Sequence, residues 1–207
     1  MPTDQVSSEN ALREKEDFLV VEELSKIGLN IGSVYDLAKI SLSKEAVPIL
    51  LSMMRSTTHP AIKQGIIRAL GDRDNSRDIG PELLSYFKDI DENEWAREDT
   101  KWVLGNSIEI IAGPELLDDM IEIALDDSHG KSREMIVLGL GKIRDERAFL
   151  ALKNLVNDPQ VEGHAVSALG KLGDRRAIPL LESKTSSGKS WVRREAKSAL
   201  NRLRKIQ

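Results

Sequence analysis

Three histidines are the side chains best suited to bind a metal ion or move a proton near neutral pH, so their spacing is the first test of chemistry. His59 and His129 each stand twelve residues before the glycine of a recurring Leu-Gly pair, Gly71 and Gly141. They occupy equivalent turns two repeats apart, about 20 Å if packed helices are about 8–10 Å apart, and cannot share an ion. His164 lies in a different segment, with no second histidine at i+4 and no His-Glu-x-x-His pattern. Serine catalysis lacks its Gly-x-Ser-x-Gly elbow. Gly188-Lys189-Ser190 lacks the first glycine of a phosphate loop and follows a helical segment, where such a loop needs a strand. The adjacent carboxylates Asp118-Asp119 and Asp126-Asp127 point to different sides of a helix, whereas acid–base work needs two groups converging on one cleft. With no cysteine there is no thiol nucleophile, disulfide framework or thiolate metal site. These residues assign no catalytic group, cofactor or metal, and the expectation is a protein that is not an enzyme.

The elements that would position any site come from internal repeats. Leu70-Gly71, Leu104-Gly105, Leu140-Gly141, Leu169-Gly170 and Leu200-Asn201 recur at spacings of 34, 36, 29 and 31 residues, periods typical of helical solenoids. The preceding segments align as AIKQGIIRAL, WAREDTKWVL, KSREMIVLGL, QVEGHAVSAL and WVRREAKSAL. Ile62, Ile66 and Ala69, or Val192, Ala196 and Ala199, fall on one helical stripe and predict a packing seam. Each unit's first helix precedes: EAVPILLSMM, PELLSYF, PELLDDMIEIAL, RAFLALKNLV and RAIPLLE. Pro48 and Pro179 fit a first turn, where the missing N–H costs little. Asp158 before Pro159, and Asp127-Ser128 before KSREMIVLGL, read as helix starts. No long alternation or Asn-Gly hairpin signal predicts a strand.

WVRREAKSAL, LGLGKIRDERAFLAL and SALGKLGDRRAIPLL resemble bacterial HEAT repeats of the short type associated with phycobilin lyases. The resemblance covers residues 43–207 and is strongest from 131 onward; WAREDTKWVLGNSIEIIAG lengthens its repeat and loses the Gly-Asp turn. It implies an all-α, right-handed α-α superhelix of about five helix pairs, a single continuous array at 43–207. Residues 1–42 form a polar tail and N-terminal helical cap, with ALREKEDFLVVEELSKIGL an amphipathic helix, VYDLAKISL a short one, and residues 1 to about 9 disordered. The resemblance also gives a structural role to the recurring basic residues Lys63, Arg97, Arg133 and Arg193, which pair with carboxylates or turn carbonyls between units.

In such arrays the second helices line the concave face, and their outward positions are the variable ones. Those positions include Gln64, Arg68, Trp95, Glu98, Trp102, Met135, Leu138, His164, Trp191 and Arg194, which the resemblance makes candidate protein-binding residues. All three tryptophans of a chain with 4% aromatic residues fall on positions the packing seam does not need. Trp95 and Trp102 stand seven apart, two turns along one stripe, and Leu138 holds the place in the next repeat that Trp102 holds in its own. An apolar centre of Trp95, Trp102, Met135 and Leu138 with Glu98, Arg68 and His164 around it has the composition of an interface.

The chain has 207 residues, a size suited to one domain or one array, and a formal charge of −4. Residues 1–129 carry 13 basic and 26 acidic side chains, and residues 130–207 carry 17 and 8. The net +9 of the second stretch keeps nucleic acid open as an alternative partner, through Lys189, Arg193, Arg194, Lys197, Arg202, Arg204 and Lys205. The acidic remainder argues against it. A bilin-lyase-like, chromophore-handling role follows from the resemblance alone. No 18-residue apolar run and no signal-peptide pattern appear, so the expectation is a soluble, cytoplasmic protein with no membrane partner. The leading expectation is an interaction module, a scaffold, adaptor or antitoxin- or immunity-like binder, that grips another protein in its concave groove.

Overall fold

The seam residues read from the repeats are the ones that folding removes from water. In the computed structural model, which describes residues 3–71, 76–91 and 93–205, Ile62 and Ile66 are 0% exposed and Ala69 6%. Val192 and Ala196 are 0% exposed and Ala199 1%. Burying each large aliphatic chain contributes about 1.5–3 kcal/mol, which suffices to order helices too short to form alone. Among the described residues all regular structure is helical.

By its internal contacts the chain divides into two compact units, Met1–Ile111 and Ala112–Gln207. Unit 1 holds α1 (Thr3–Ser25), a 3-10 turn at Val34–Lys39, α2 (Ala46–Ser56), α3 (Pro60–Leu70), α4 (Ser76–Asp89) and α5 (Arg97–Ile111). Here α2 packs on α4 and α3 on α5, while α2 pairs with α3 and α4 with α5. Two layers of paired helices result. Helix α1 and the 3-10 turn lie against α3, with α1 also touching α2. Unit 2 holds α6 (Leu117–Leu125), α7 (Glu134–Leu140), α8 (Glu146–Leu155), α9 (Glu162–Leu172), α10 (Ile178–Lys184) and α11 (Ser190–Lys205). Its inner row is α7, α9 and α11 in succession, and α6, α8 and α10 pair with them from outside. Helices packed in neighbouring pairs in this way form a HEAT-like helical solenoid.

The recurring glycines serve close approach. Gly71 and Gly141 have φ of −69° and −65°, so they are not left-handed helix stops. A Cβ on Gly141 would come within 2.6 Å of the Ala168 carbonyl oxygen, and one on Gly170 would overlap Ala199 Cβ. In unit 2 the glycine at the end of α7 and the one in the last turn of α9 are where the next inner helix touches.

Four sequence expectations need correcting. Residues 3–9 are helical, since α1 begins at Thr3. Nor is α1 cleanly amphipathic: Val20 and Leu24 are buried while Phe18 is 64% exposed. It docks largely through polar groups. Glu16 accepts from the Thr58 hydroxyl and from the backbone N–H groups of Thr58 and His59, and Asp17 from the Ser33 hydroxyl and the Val34 N–H. Helix α4 starts before PELLSYF and contains Pro81 in its interior. Finally, the capping aspartate before KSREMIVLGL is Asp126, which accepts from the Ser128 N–H; a 3-10 stretch with Gly130 at φ +56° follows, delaying α7 to Glu134.

Candidate functional site

In unit 1 the candidate residues lie on α3 and α5 and in the turn before α5. Gln64 is half-buried and Arg68 exposed on α3; Glu98 and Trp102 are exposed on α5, Trp102 at 52%. Trp95, 47% exposed, does not belong to α5. Ala96 adopts φ +54°, a left-handed conformation that costs an alanine about 1–2 kcal/mol and reverses the chain before Arg97. The stripe of Trp95 and Trp102 along one helix is therefore not formed. Trp95 instead meets the His59 ring edge-on, with centroids 5.2 Å apart. His59 caps α3: its Nδ1 accepts the Ala61 N–H at 3.2 Å, which leaves the proton on Nε2. The turn is anchored one residue earlier, where Glu94 accepts from Lys63 at 2.9 Å and from the Tyr86 hydroxyl at 3.0 Å. Lys63 in turn donates to the Tyr86 oxygen at 2.6 Å. Burial, then the Glu94 carboxylate, raises the Tyr86 phenol well above its ordinary range and keeps it neutral.

In unit 2 the candidates lie on α7, α9 and α11. Met135 and Leu138 are half-buried on α7, Arg194 is exposed on α11, and Trp191 is 38% exposed at the start of α11. The Trp191 ring lies over Gly163, where any Cβ would collide with it, and meets His164 edge-on at 5.4 Å. His164 and Trp191 are brought together; the equivalent signal in sequence is the glycine at 163. Burial lowers the His164 pKa despite opposing pulls from Glu134 and Glu195, so the imidazole is neutral at pH 7, and its Nδ1 has no hydrogen-bond partner.

The basic column is architecture in three of its four members. Arg133, 1% exposed, donates to the Gly130 and Ala124 carbonyls, to Asp158 at 2.5 Å and to Gln160. Lys63 holds Tyr86 and Glu94, and Arg193 donates to the Ser187 and Gly188 carbonyls. Arg97 pairs with its neighbour Glu98, and its buried Nε is unpartnered. Sequence reading missed a second ladder on the outer side of unit 2. Arg147 bridges Asp118 and Asp145, and Arg176 bridges Glu146 and Asp174 while lying 4.3 Å from the Phe149 ring centroid. Its signal is the Asp-x-Arg of RDERAF and GDRRAI, 29 residues apart.

Among the described residues there is no cluster of three or more His, Asp or Glu able to hold a metal. An open cleft of about 370 Å³ at Arg144, Asp145, Glu146, Asp174 and Arg176 is lined by the ladder's own ion pairs. Lys189 of the Gly-Lys-Ser stretch is tied to the Pro159 carbonyl and Glu162. No helix among the described residues is long and apolar enough to cross a membrane.

Paired helices with close inner contacts define a helical-repeat protein. The comparison with known families agrees: residues 117–201 match the family model described as HEAT repeats. That repeat type generally mediates protein–protein interaction and is typically non-catalytic. No curated protein matches the chain.

Proposed function

We propose that the chain is a non-enzymatic protein-binding module, a scaffold, adaptor or neutralising binder, working through the solvent-facing side of its second helices. Residues 43–207 are its array and residues 1–42 its cap. The observation that carries this reading is the exposure of all three tryptophans, 47%, 52% and 38% for Trp95, Trp102 and Trp191. Tryptophan is usually well buried, and an indole left part in water, on an inner helix for Trp102 and Trp191 and in the turn before one for Trp95, is the residue type that dominates binding energy at interfaces. Gln64, Arg68, Glu98, Met135, Leu138, His164 and Arg194 supply the half-buried and polar surroundings in their respective units.

Replacing Trp102 and Leu138 with glutamate tests the reading. Capture of a protein partner from the source cell should fall to background, with helical content unchanged and stability altered by no more than about 0.5 kcal/mol for Trp102→Glu alone, as for an ordinary surface site. Collapse of the fold would show the tryptophan to be core.

Nucleic acid is the weaker reading because much of the positive charge of residues 130–207 is engaged within the chain. Arg133, Arg147, Arg176, Lys184, Lys189 and Arg204 all pair with carboxylates. Affinity for phosphates scales with the cations left to neutralise them. Retention of duplex DNA at low salt would revive it. A chromophore-handling role has only the sequence resemblance behind it.

A further inference from the structure

We infer that the end of unit 1 around Trp95 receives a lysine- or arginine-bearing segment of the partner protein, its cation seated on the indole. The inference rests on the protein-binding reading and names the chemistry of what binds. Two observations support it. The ring is offered on purpose-built backbone: Glu94 is locked to Lys63 and Tyr86, and Ala96 carries left-handed strain, so Trp95 is held 47% exposed with its ring steeply inclined to that of His59. Strain of this kind persists where surrounding structure over-determines it and gathers at binding sites.

The surroundings are anionic. In sequence, residues 89–99 contain six carboxylates and one basic residue, Arg97; Arg97 is engaged with Glu98 at 2.7 Å and Glu94 with Lys63, while Asp91 and Asp99 are exposed. From α1, Glu9 places its carboxylate 3.9 Å from His59 Nε2, with a side chain 46% exposed. Asp99 is exposed one turn before Trp102 on α5. An indole face attracts cations through its quadrupole, and nearby carboxylates deepen that attraction. The same carboxylates repel phosphate backbones and acidic peptides. A hydrophobic anchor alone would fit any partner; an anionic rim with its own local cation engaged selects a basic one.

A fluorescein-labelled nonapeptide of alternating arginine and glycine, compared with its glutamate–glycine counterpart, tests this by fluorescence polarisation on the whole chain. The arginine peptide should bind saturably, weaken as salt rises, and lose on the order of tenfold in affinity with Trp95→Leu, which keeps an apolar contact but removes the ring face. Asp99→Asn should weaken it severalfold, and both variants should melt as the parent does. Equal or tighter binding of the glutamate peptide, still dependent on Trp95, would overturn the basic chemistry and leave the docking reading standing. Absence of arginine-peptide binding, or binding indifferent to both substitutions, would overturn the inference, while the capture experiment with Trp102→Glu would still decide the docking reading by itself.

Discussion

The two units solve the same packing problem with different regularity. In unit 2 the repeat marks Gly141, Gly170 and Asn201 stand 29 and 31 residues apart, and several charged groups near turns are answered within the chain. Arg133 reaches two carbonyls and Asp158, and Arg147 and Arg176 form a ladder with the preceding outer helix. In unit 1 the repeat spacing rises to 34 residues. The extra length becomes the turn of Glu94, Trp95 and left-handed Ala96, which holds an aromatic ring out in water. The regular unit answers several of its charges internally, and in unit 1 the departure from regularity presents a further aromatic side chain to solvent.

The largest effect that would sharpen this contrast is in unit 2. Arg133→Ala strips a buried guanidinium from Asp158 and two carbonyls, and should cost about 3–5 kcal/mol in urea unfolding. Arg193→Ala, which removes bonds to two partly exposed loop carbonyls, should cost about 1 kcal/mol. Equal losses would remove the distinction between buried and peripheral members of the column. Gly163→Ala should cost about 1–3 kcal/mol by overpacking against Trp191, with a change in tryptophan emission marking displacement of the ring.

In unit 1 the sign reverses. Ala96→Gly relieves left-handed strain and should stabilise by up to about 1 kcal/mol. A destabilised variant would mean the turn is not strained. The smallest effect is on acid stability. Burial alone would raise the Glu162 carboxyl, but hydrogen bonds from Lys184 and Lys189 outweigh it and hold it below its ordinary value. That contribution is complete above the ordinary glutamate pKa of about 4.3 and fades as pH falls through the lower folded value. Glu162→Gln should therefore shallow the acid limb of a stability–pH curve and leave its slope near neutrality unchanged.

The legible part of the molecule was the part that repeats. The seam of Ile62, Ile66 and Ala69 and the column of Lys63, Arg133 and Arg193 could be read because one register recurs down the chain, and the match to HEAT repeats at 117–201 falls in the more regular unit. What escaped was set by single, non-periodic events. Nothing in the letters around Ala96 announces a positive φ, so Trp95 was assigned to a helix it precedes. Gly130 delays α7 by one left-handed residue. Glu16 and Asp17 dock α1 onto turns at Thr58 and Val34, contacts of 42 and 17 residues' separation that helical spacing cannot reveal.

The proposed docking role belongs to the solvent-facing side of the inner helices within each unit, and not to exposed apolar surface in general. Leu150 on α8 of unit 2 is 47% exposed, close to the 52% of Trp102, but belongs to the outer row. Partner capture measured side by side for Trp102→Glu and Leu150→Glu, at matched melting temperature, separates the two: capture should be lost with the first and kept with the second, and equal retention or equal loss would overturn the proposed docking side.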